Sequence, residues 1–384
     1  MFKNKKTTFI VAAILIIAIA VGAWLLLGNN KENDGAQSSN GSANVSNEGD
    51  QTSNGGATVS DEGGTKSLTQ TYYIYDTVVN IKVFGDNATQ KNMDDIQAML
   101  ERMDLELSRT KEGGEVYAIN QAAGKNPVAV SDETLDVVKQ SLKYAEEMDG
   151  LFDPTIGPLV DLWNIGNGGE SVPPEADIEA ARALTNYKDV IIDDAAKTVM
   201  LAKEGMVLDL GGIGKGYAAD RVADYLKEQG LDSAMINLGG SSIIALGNKP
   251  NGSQWNIGLQ DPDQSRGTQL GTIKISDEVI DASGVYERFF IQDGVRYHHI
   301  LDPRTGFPSQ NGLKSLTIMS PNATDADALS TGVFLMGIED GMKYLDSLPE
   351  NVEAFFITDD NKIYATSGLK DRLQLTDPTY EFAE

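Results

Sequence analysis

The sequence predicts an α+β fold for the part that can bury a core, residues 67–384. Apolar residues recur at helical spacing in a few separated windows, and β-branched or aromatic runs with partial alternation fill the stretches between them. The two kinds of segment follow one another without a regular βαβ repeat. That order argues against a doubly wound parallel sheet and for a mixed sheet with packed helices.

Taken in order, the first strand is expected in "TYYIYDTVVNIKVFG", residues 71–85. Met93, Ile96, Leu100, Met103 and Leu107 share one face of a helix over 89–107, and a second amphipathic helix covers 132–148. "LFDPTIGPLVDLWNIG", residues 151–166, is interrupted by Pro154 and Pro158 and predicts an ordered loop with one helical turn. A helix at 175–184 and short strands near 190 and 199 lead to a glycine turn. After it come a helix at 216–229 and the strand "SAMINLGGSSIIALG" at 233–247. Further strands are expected at 255–260, 271–275, 287–292, 295–301 and 313–319, with helices at 325–336 and 339–347. "EAFFITDD" and "KIYATSG" close the domain as strands.

Ahead of this domain, Lys3, Lys5 and Lys6 precede "TTFIVAAILIIAIAVGAWLLLG", which carries no charge and is long enough to span a bilayer. Lysines on that side stay in the cytoplasm, so the rest of the chain is expected outside. A cleaved signal peptide is the alternative, because Ala18-Ile19-Ala20 resembles a small-residue cleavage site. The apolar run continues through Trp24 to Leu27, which favours an anchor over residues 1–28. Residues 29–66, with "SSNGSANVSNEGDQTSNGG" at their centre, hold too few large apolar residues to fold and predict a flexible polar tether. The imperfect echo within them is low-complexity duplication.

The formal net charge of -26 over 384 residues excludes a nucleic-acid partner, since phosphate backbones are bound by clustered Lys and Arg. An anionic ligand would need a cation or local dipoles to approach. Cysteine is absent, which removes disulfides, thiolate metal sites, a cysteine nucleophile and a lipidated N-terminal cysteine. His298 and His299 are the two histidines, so a histidine-rich zinc site is excluded as well.

Three features could carry chemistry. "LDLGGIGKGYAADRVADYL", residues 208–226, places Gly211, Gly212, Gly214, Lys215 and Gly216 between an apolar strand-like run and a helix. It matches neither G-x-G-x-x-G nor a P-loop, because Lys215 is followed by Gly216. It is a strained structural turn or a ligand site of another kind. Asp327 and Thr331 are four apart on a helix, so a carboxylate and a hydroxyl share one face; together with a turn carbonyl they could hold Mg²⁺. Alternatively Asp325 and Asp327 only complement the helix dipole and Thr331 packs inside. Of His298 and His299 on one strand, only one can enter a given site, as a general base or as a hydrogen-bonded buried side chain.

Together these stretches resemble a known family. "LDLGGIGKGYAAD", "INLGG", "WNIGLQDP", "ASGVYERFF", "HHILDPRTGFP" and "ATDADALSTGVFLMG", with "LFDPTIGPLVDLWNIG" upstream, are similar in sequence and order to the ApbE family of Mg²⁺-dependent FAD:protein FMN transferases. The match covers nearly all of residues 70–370. The resemblance implies that FAD binds with its pyrophosphate on Mg²⁺. FMN then passes to a Thr or Ser hydroxyl of a target protein, and AMP leaves. It implies the Gly212 carbonyl, Asp327 and Thr331 as metal ligands, and Tyr75, Leu151, Phe152, Asp153, Asp209, Lys215 and Ile300 as FAD contacts. His299 would activate the acceptor hydroxyl, and the acceptors would be electron-transfer flavoproteins outside the cytoplasmic membrane. Some positions depart from the family. Ser241 stands where many relatives have Asp, Gly214 where they have Ala, and Ser330 where some carry a carboxylate. Tyr75 and Thr110 replace Met and an aromatic residue. Two competing expectations share the site: an FAD pyrophosphatase using water as acceptor, and a surface flavin-binding protein without turnover.

Overall fold

The computed structural model describes residues 57–62, 64–348 and 351–383. The expected anchor over 1–28 and residues 29–56 of the expected tether lie outside the described residues. Among the described residues no helix is long and apolar enough to cross a membrane. Strand pairing starts inside the segment expected to be tether: β1 (Thr58–Glu62) pairs antiparallel with β2 (Thr65–Ile74). β2 then turns into β3 (Thr77–Phe84), with Ile74 opposite Thr77. Tyr75 and Asp76 make that turn at φ 58° and 54°, the left-handed pair whose twist matches the flanking strands. The stretch expected as one strand is therefore a hairpin, and Tyr75 sits at its tip.

Helix α1 (Gln90–Glu106) follows the spacing in the sequence. Thr89 and Asn92 form a capping box, and Met93, Ile96, Leu100 and Met103 are buried. α2 (Glu115–Gln121) and β4 (Val128–Ala129) are short additions that periodicity does not reveal. Ser131 caps α3 (Asp132–Glu147). The proline-interrupted stretch holds a seven-residue helix, α4 (Gly157–Trp163), longer than the single turn expected. Pro158 falls in its first turn, where the missing N–H has no helical partner to lose. α5 (Glu175–Arg182) precedes β5 (Val190–Asp193) and β6 (Thr198–Leu201), which pair with β4 in a small sheet. α6 (Gly214–Glu228) starts two residues earlier than expected.

β7 (Ser233–Leu238) and β8 (Ser242–Leu246) form a second hairpin where one strand was expected. Gly239 and Gly240 turn it at φ 71° and 80°. β9 (Trp255–Gln260), β10 (Gln269–Ile275), β11 (Glu278–Gly284), β12 (Phe289–Gln292), β13 (Val295–His298) and β14 (Leu313–Ser320) follow. The last long helix, α7 (Ala323–Leu345), is broken at Gly337, φ 76° and ψ -171°, between the two helices expected there. β15 (Glu353–Thr358), β16 (Lys362–Ala365), β17 (Gln374–Leu375) and β18 (Glu381–Phe382) end the domain.

Among the described residues ten strands form one mixed sheet in the order β1-β2-β3-β7-β8-β11-β14-β15-β16-β18, with β16 and β18 parallel and the other pairs antiparallel. One face buries Ile81, Ile236 and Ile318 against Leu100, Val222 and Val333 of α1, α6 and α7. The other buries Phe84, Ile280, Met319 and Phe355 against Trp255, Ile257 and Ile273 of the β9-β10-β17 sheet. Strands covered on both sides lose the apolar-polar alternation, and β11 escapes sequence detection for that reason. Its "EVIDASG" turns Asp281 and Ser283 inward. A third cluster, around Trp163, Leu159, Ile178 and Leu301, supports the β12-β13 hairpin. There Trp163 stacks on Tyr297 at 5.6 Å and donates to the Gly306 carbonyl at 2.7 Å. That support holds the histidine pair in place.

Candidate active site

The site is built where α6 meets α7. The run expected as a strand before the glycine turn is extended chain outside any sheet strand. It is pinned by Asn120, which exchanges two hydrogen bonds with the Leu208 backbone, and by the Asp209 N–H donating to the Pro154 carbonyl at 2.7 Å. Asp209 then organises the turn. Oδ1 accepts from Gly211 N–H at 2.8 Å, and Oδ2 pairs with Arg109 Nε at 2.8 Å. Arg109, which also pairs with Asp161 at 2.5 Å, carries no sequence signal of this role.

Each of the two helices caps the other. The Gly216 N–H, in the first turn of α6, donates to Asp327 Oδ2 at 2.9 Å. In return, Asp220 of α6 accepts from the N–H groups of Ala323 and Thr324 at 2.9 and 2.8 Å, and from the Thr324 hydroxyl at 2.5 Å. Hydrogen bonds to a charged acceptor contribute about 1.5–3 kcal/mol each, and carboxylates at helix N-termini also meet the dipole favourably. The close approach requires glycine at 216: a Cβ there would fall onto the Ala323 carbonyl and within 2.8 Å of Asp327 Cβ. Neither Gly216 nor Asp220 stands out by spacing alone.

This crossing brings most of the expected residues together. Asp327 is 4% exposed, and its Oδ1 faces the Lys215 ammonium at 3.8 Å. Lys215 Nζ also donates to the Gly211 carbonyl at 3.2 Å, which keeps its charge over the turn. A Cβ on Gly212 would lie 3.4 Å from Thr331 Oγ1 and 3.1 Å from the Phe152 ring, so turn, helix and upstream loop converge there. Leu151 and Phe152 are buried beside it. Asp153 accepts from Thr155 N–H and hydroxyl at 2.8 and 2.6 Å and from Tyr187 N–H at 3.0 Å, so it organises the loop. Burial pushes its carboxyl above the usual range, against the lowering effect of those donors.

The two histidines differ in burial and in partners, and His298 is the one that belongs to β13. His298 is 2% exposed, lies edge-on to Phe334, donates from Nε2 to the Ser309 carbonyl at 2.7 Å and accepts at Nδ1 from Ile300 N–H at 3.3 Å. Both its nitrogens are occupied. His299 lies one residue beyond β13 rather than within it. Its Nδ1 faces the Arg288 carbonyl at 3.4 Å, which assigns the proton to Nδ1 and leaves Nε2 as the acceptor. Burial, then the charges of Arg288, His298 and Lys215, lowers its pKa to about 3. The imidazole is thus held neutral with a free lone pair, and Lys215 is close enough to contribute.

Ile300 is buried in the main core, with its N–H on His298. Tyr75 faces a different neighbourhood, near Asp104, Arg102, Glu133 and Glu106; its buried hydroxyl lacks a hydrogen-bond partner, and burial raises its pKa. One buried acid was not foreseen: Asp281 of β11, pushed above the usual carboxylate range by burial and then by the charge of Asp327. Among the described residues no group of three or more His, Cys, Asp or Glu side chains could hold a metal. A cation here would need mixed oxygen donors, and the Gly212 carbonyl, Thr331 hydroxyl and Asp327 carboxylate are hard oxygens of the kind Mg²⁺ takes.

The model of the ApbE family matches residues 75–356. A Klebsiella pneumoniae (strain 342) protein named FAD:protein FMN transferase is 40% identical over 283 residues, 74% of this chain and 87% of that protein. The protein of the same name from Treponema pallidum (strain Nichols) is 36% identical over 323 residues, covering 80% and 89%. Among solved structures, the ApbE protein of Thermotoga maritima superposes with a TM-score of 0.73 at 34% identity. The flavin transferase ApbE of Vibrio cholerae does so with 0.71 at 32%. Each covers 80% of this chain and 99% of its own. With a family match over most of its length and relatives of this similarity, the chain belongs to the ApbE family.

Proposed function

We propose that the chain transfers FMN from FAD to a Thr or Ser hydroxyl of an acceptor flavoprotein and releases AMP. The observation that carries this reading is the convergence of Gly212, Asp327, Thr331 and Lys215 at the α6-α7 crossing, in a chain whose relatives are named FAD:protein FMN transferase. Gly212, Asp327 and Thr331 would hold Mg²⁺. Such an ion screens pyrophosphate charge and polarises the phosphorus under attack.

The chain's own residues do the rest. Lys215, tethered to the Gly211 carbonyl, offers a fixed positive charge to phosphate oxygens in a protein whose net charge otherwise repels them. Asp209 and Arg109 hold the turn in shape, and the Leu151–Asp153 loop closes one side of it. His299 Nε2 takes the proton of the acceptor hydroxyl. Its oxygen forms a bond to the FMN phosphorus as the P–O bond to AMP breaks. The anchor and tether would place this domain on the outer face of the cytoplasmic membrane, where electron-transfer flavoproteins serve as acceptors.

The test is to incubate the full chain with FAD, Mg²⁺ and a candidate acceptor flavoprotein, and then separate the products under denaturing conditions. Flavin fluorescence on the acceptor band is the expected outcome. Free FMN and AMP without labelled acceptor would replace the proposal with FAD hydrolysis, and unchanged FAD held tightly would replace it with flavin storage.

A further inference from the structure

Asp281 has no part in the chemistry described so far, yet it lies within reach of the charges of Asp327 and Lys215. Along β11, Val279, Asp281 and Ser283 alternate onto the sheet face covered by α6 and α7, whereas Ile280 pairs with Met319 in the core on the opposite face. Ser283 shows where that face points. Its Oγ lies 3.0 Å from Ser330 Oγ, and Ser330 donates to the Asp327 carbonyl at 2.9 Å. Two residues back on the same face, Asp281 is 2% exposed, and among the described residues its Oδ2 meets no hydrogen-bond partner. Ser242, its cross-strand partner on β8, is fully buried, and its hydroxyl and that of Ser330 are near enough to favour the charged carboxylate.

A carboxylate in the interior is held by a paired charge, by a set of hydrogen bonds or by a metal. Asp281 has two hydroxyls near it, those of Ser242 and Ser330, and burial with the charge of Asp327 outweighs them. The charges that act on it are those of Asp327 and Lys215, and Lys215 already sits 3.8 Å from Asp327. One ammonium therefore faces two carboxylates.

We propose that Asp281 is the second carboxylate of the cation site, facing the ion from the sheet while Asp327, Thr331 and the Gly212 carbonyl face it from the helices. The inference rests on the divalent-cation reading above and extends it. Two carboxylates neutralise a divalent ion in full, so this chain binds the ion before FAD arrives, without needing the pyrophosphate to complete the charge balance.

Mn²⁺ is the probe, and loss of the free-ion electron paramagnetic resonance signal measures its binding to the full chain, with and without FAD. The parent should bind Mn²⁺ in the absence of FAD. Asp281→Asn should weaken that binding about 10- to 100-fold, the range for groups that support a metal site. The ion-free variant should melt no lower than the parent, because the substitution removes a buried charge at constant shape. The inference is overturned if Asp281→Asn binds Mn²⁺ within about twofold of the parent, well short of that range, with or without a lowered melting temperature. It is also overturned if the parent binds Mn²⁺ only once FAD is added. In those cases an Asp327→Asn variant that loses FAD-dependent Mn²⁺ binding keeps the cation reading intact. If the parent binds no Mn²⁺ under either condition, both readings fall.

Discussion

Gly216→Ala changes one hydrogen into a methyl group, and the geometry says it should disable the site. The added carbon would lie 2.7 Å from the Ala323 carbonyl carbon and 2.8 Å from Asp327 Cβ, and the first of these is backbone that no rotamer change can move. Intrinsic helix propensity favours alanine by about 1 kcal/mol. Overpacking of this kind costs about 1–3 kcal/mol. If the helices separate to admit the methyl group, the Gly216 N–H to Asp327 hydrogen bond is lost as well, worth about 1.5–3 kcal/mol to a charged acceptor. The steric and hydrogen-bond terms outweigh propensity and leave a net loss of about 1.5–5 kcal/mol. For a domain of this size that lowers the melting temperature by roughly 2 to 7 °C. The functional loss should exceed the stability loss, because Asp327 and Thr331 move with α7 while Gly212 stays with the turn. A displacement of about 1 Å at reacting groups can cost on the order of 100-fold in rate. Calorimetry and flavin transfer at a temperature where the variant is fully folded measure the two effects separately. An unchanged melting temperature with unchanged transfer would refute the tight crossing as the element that assembles the site.

Asp327→Asn keeps an oxygen for the Gly216 N–H but removes the charge, so it should abolish transfer at ordinary Mg²⁺ with a small change in melting temperature; Asp327→Ala should also lose about 1.5–3 kcal/mol of stability in denaturant titration. His299→Ala should slow transfer about 10²- to 10⁴-fold with FAD binding retained by fluorescence titration. His298→Ala should act through stability, since it empties a buried contact with Phe334 and orphans the Ile300 N–H. With the His299 pKa lowered to about 3, the transfer rate should hold as pH falls through 6.5, the ordinary histidine value, and a histidine-dependent fall at that pH would contradict a neutral imidazole. The same shift means that, between about 6.5 and 3, the unfolded chain takes up a proton that the folded chain refuses, so stability present above that window declines as pH drops through it. Protease added to intact cells should cut within the segment expected to be tether, and cutting only after lysis would reverse the proposed orientation.

Local pattern was enough to read much of this protein. The apolar spacing of Met93, Ile96, Leu100 and Met103 specifies α1 because a helix buries one stripe, and the observed buried set is the same four residues with Asn92. Strand alternation limited a given site to one of the two histidines, and the family resemblance singled out His299. The ordered stretches from Asp209 to Thr331 identified the family, because such a site needs particular residue types at particular positions along the chain. What remained hidden depends on contacts between distant segments. Tyr75 and Gly239 look like strand interiors until their positive φ values divide the runs into hairpins. β11 is covered on both faces and points Asp281 and Ser283 toward a helix more than forty residues later in the chain, so no periodicity marks it. Gly216 and Asp220 acquire their roles only where α6 crosses α7, and Arg109 only where it reaches Asp209. A one-dimensional pattern records which face of an element is apolar. Which polar group on another element that face meets is decided when the elements pack.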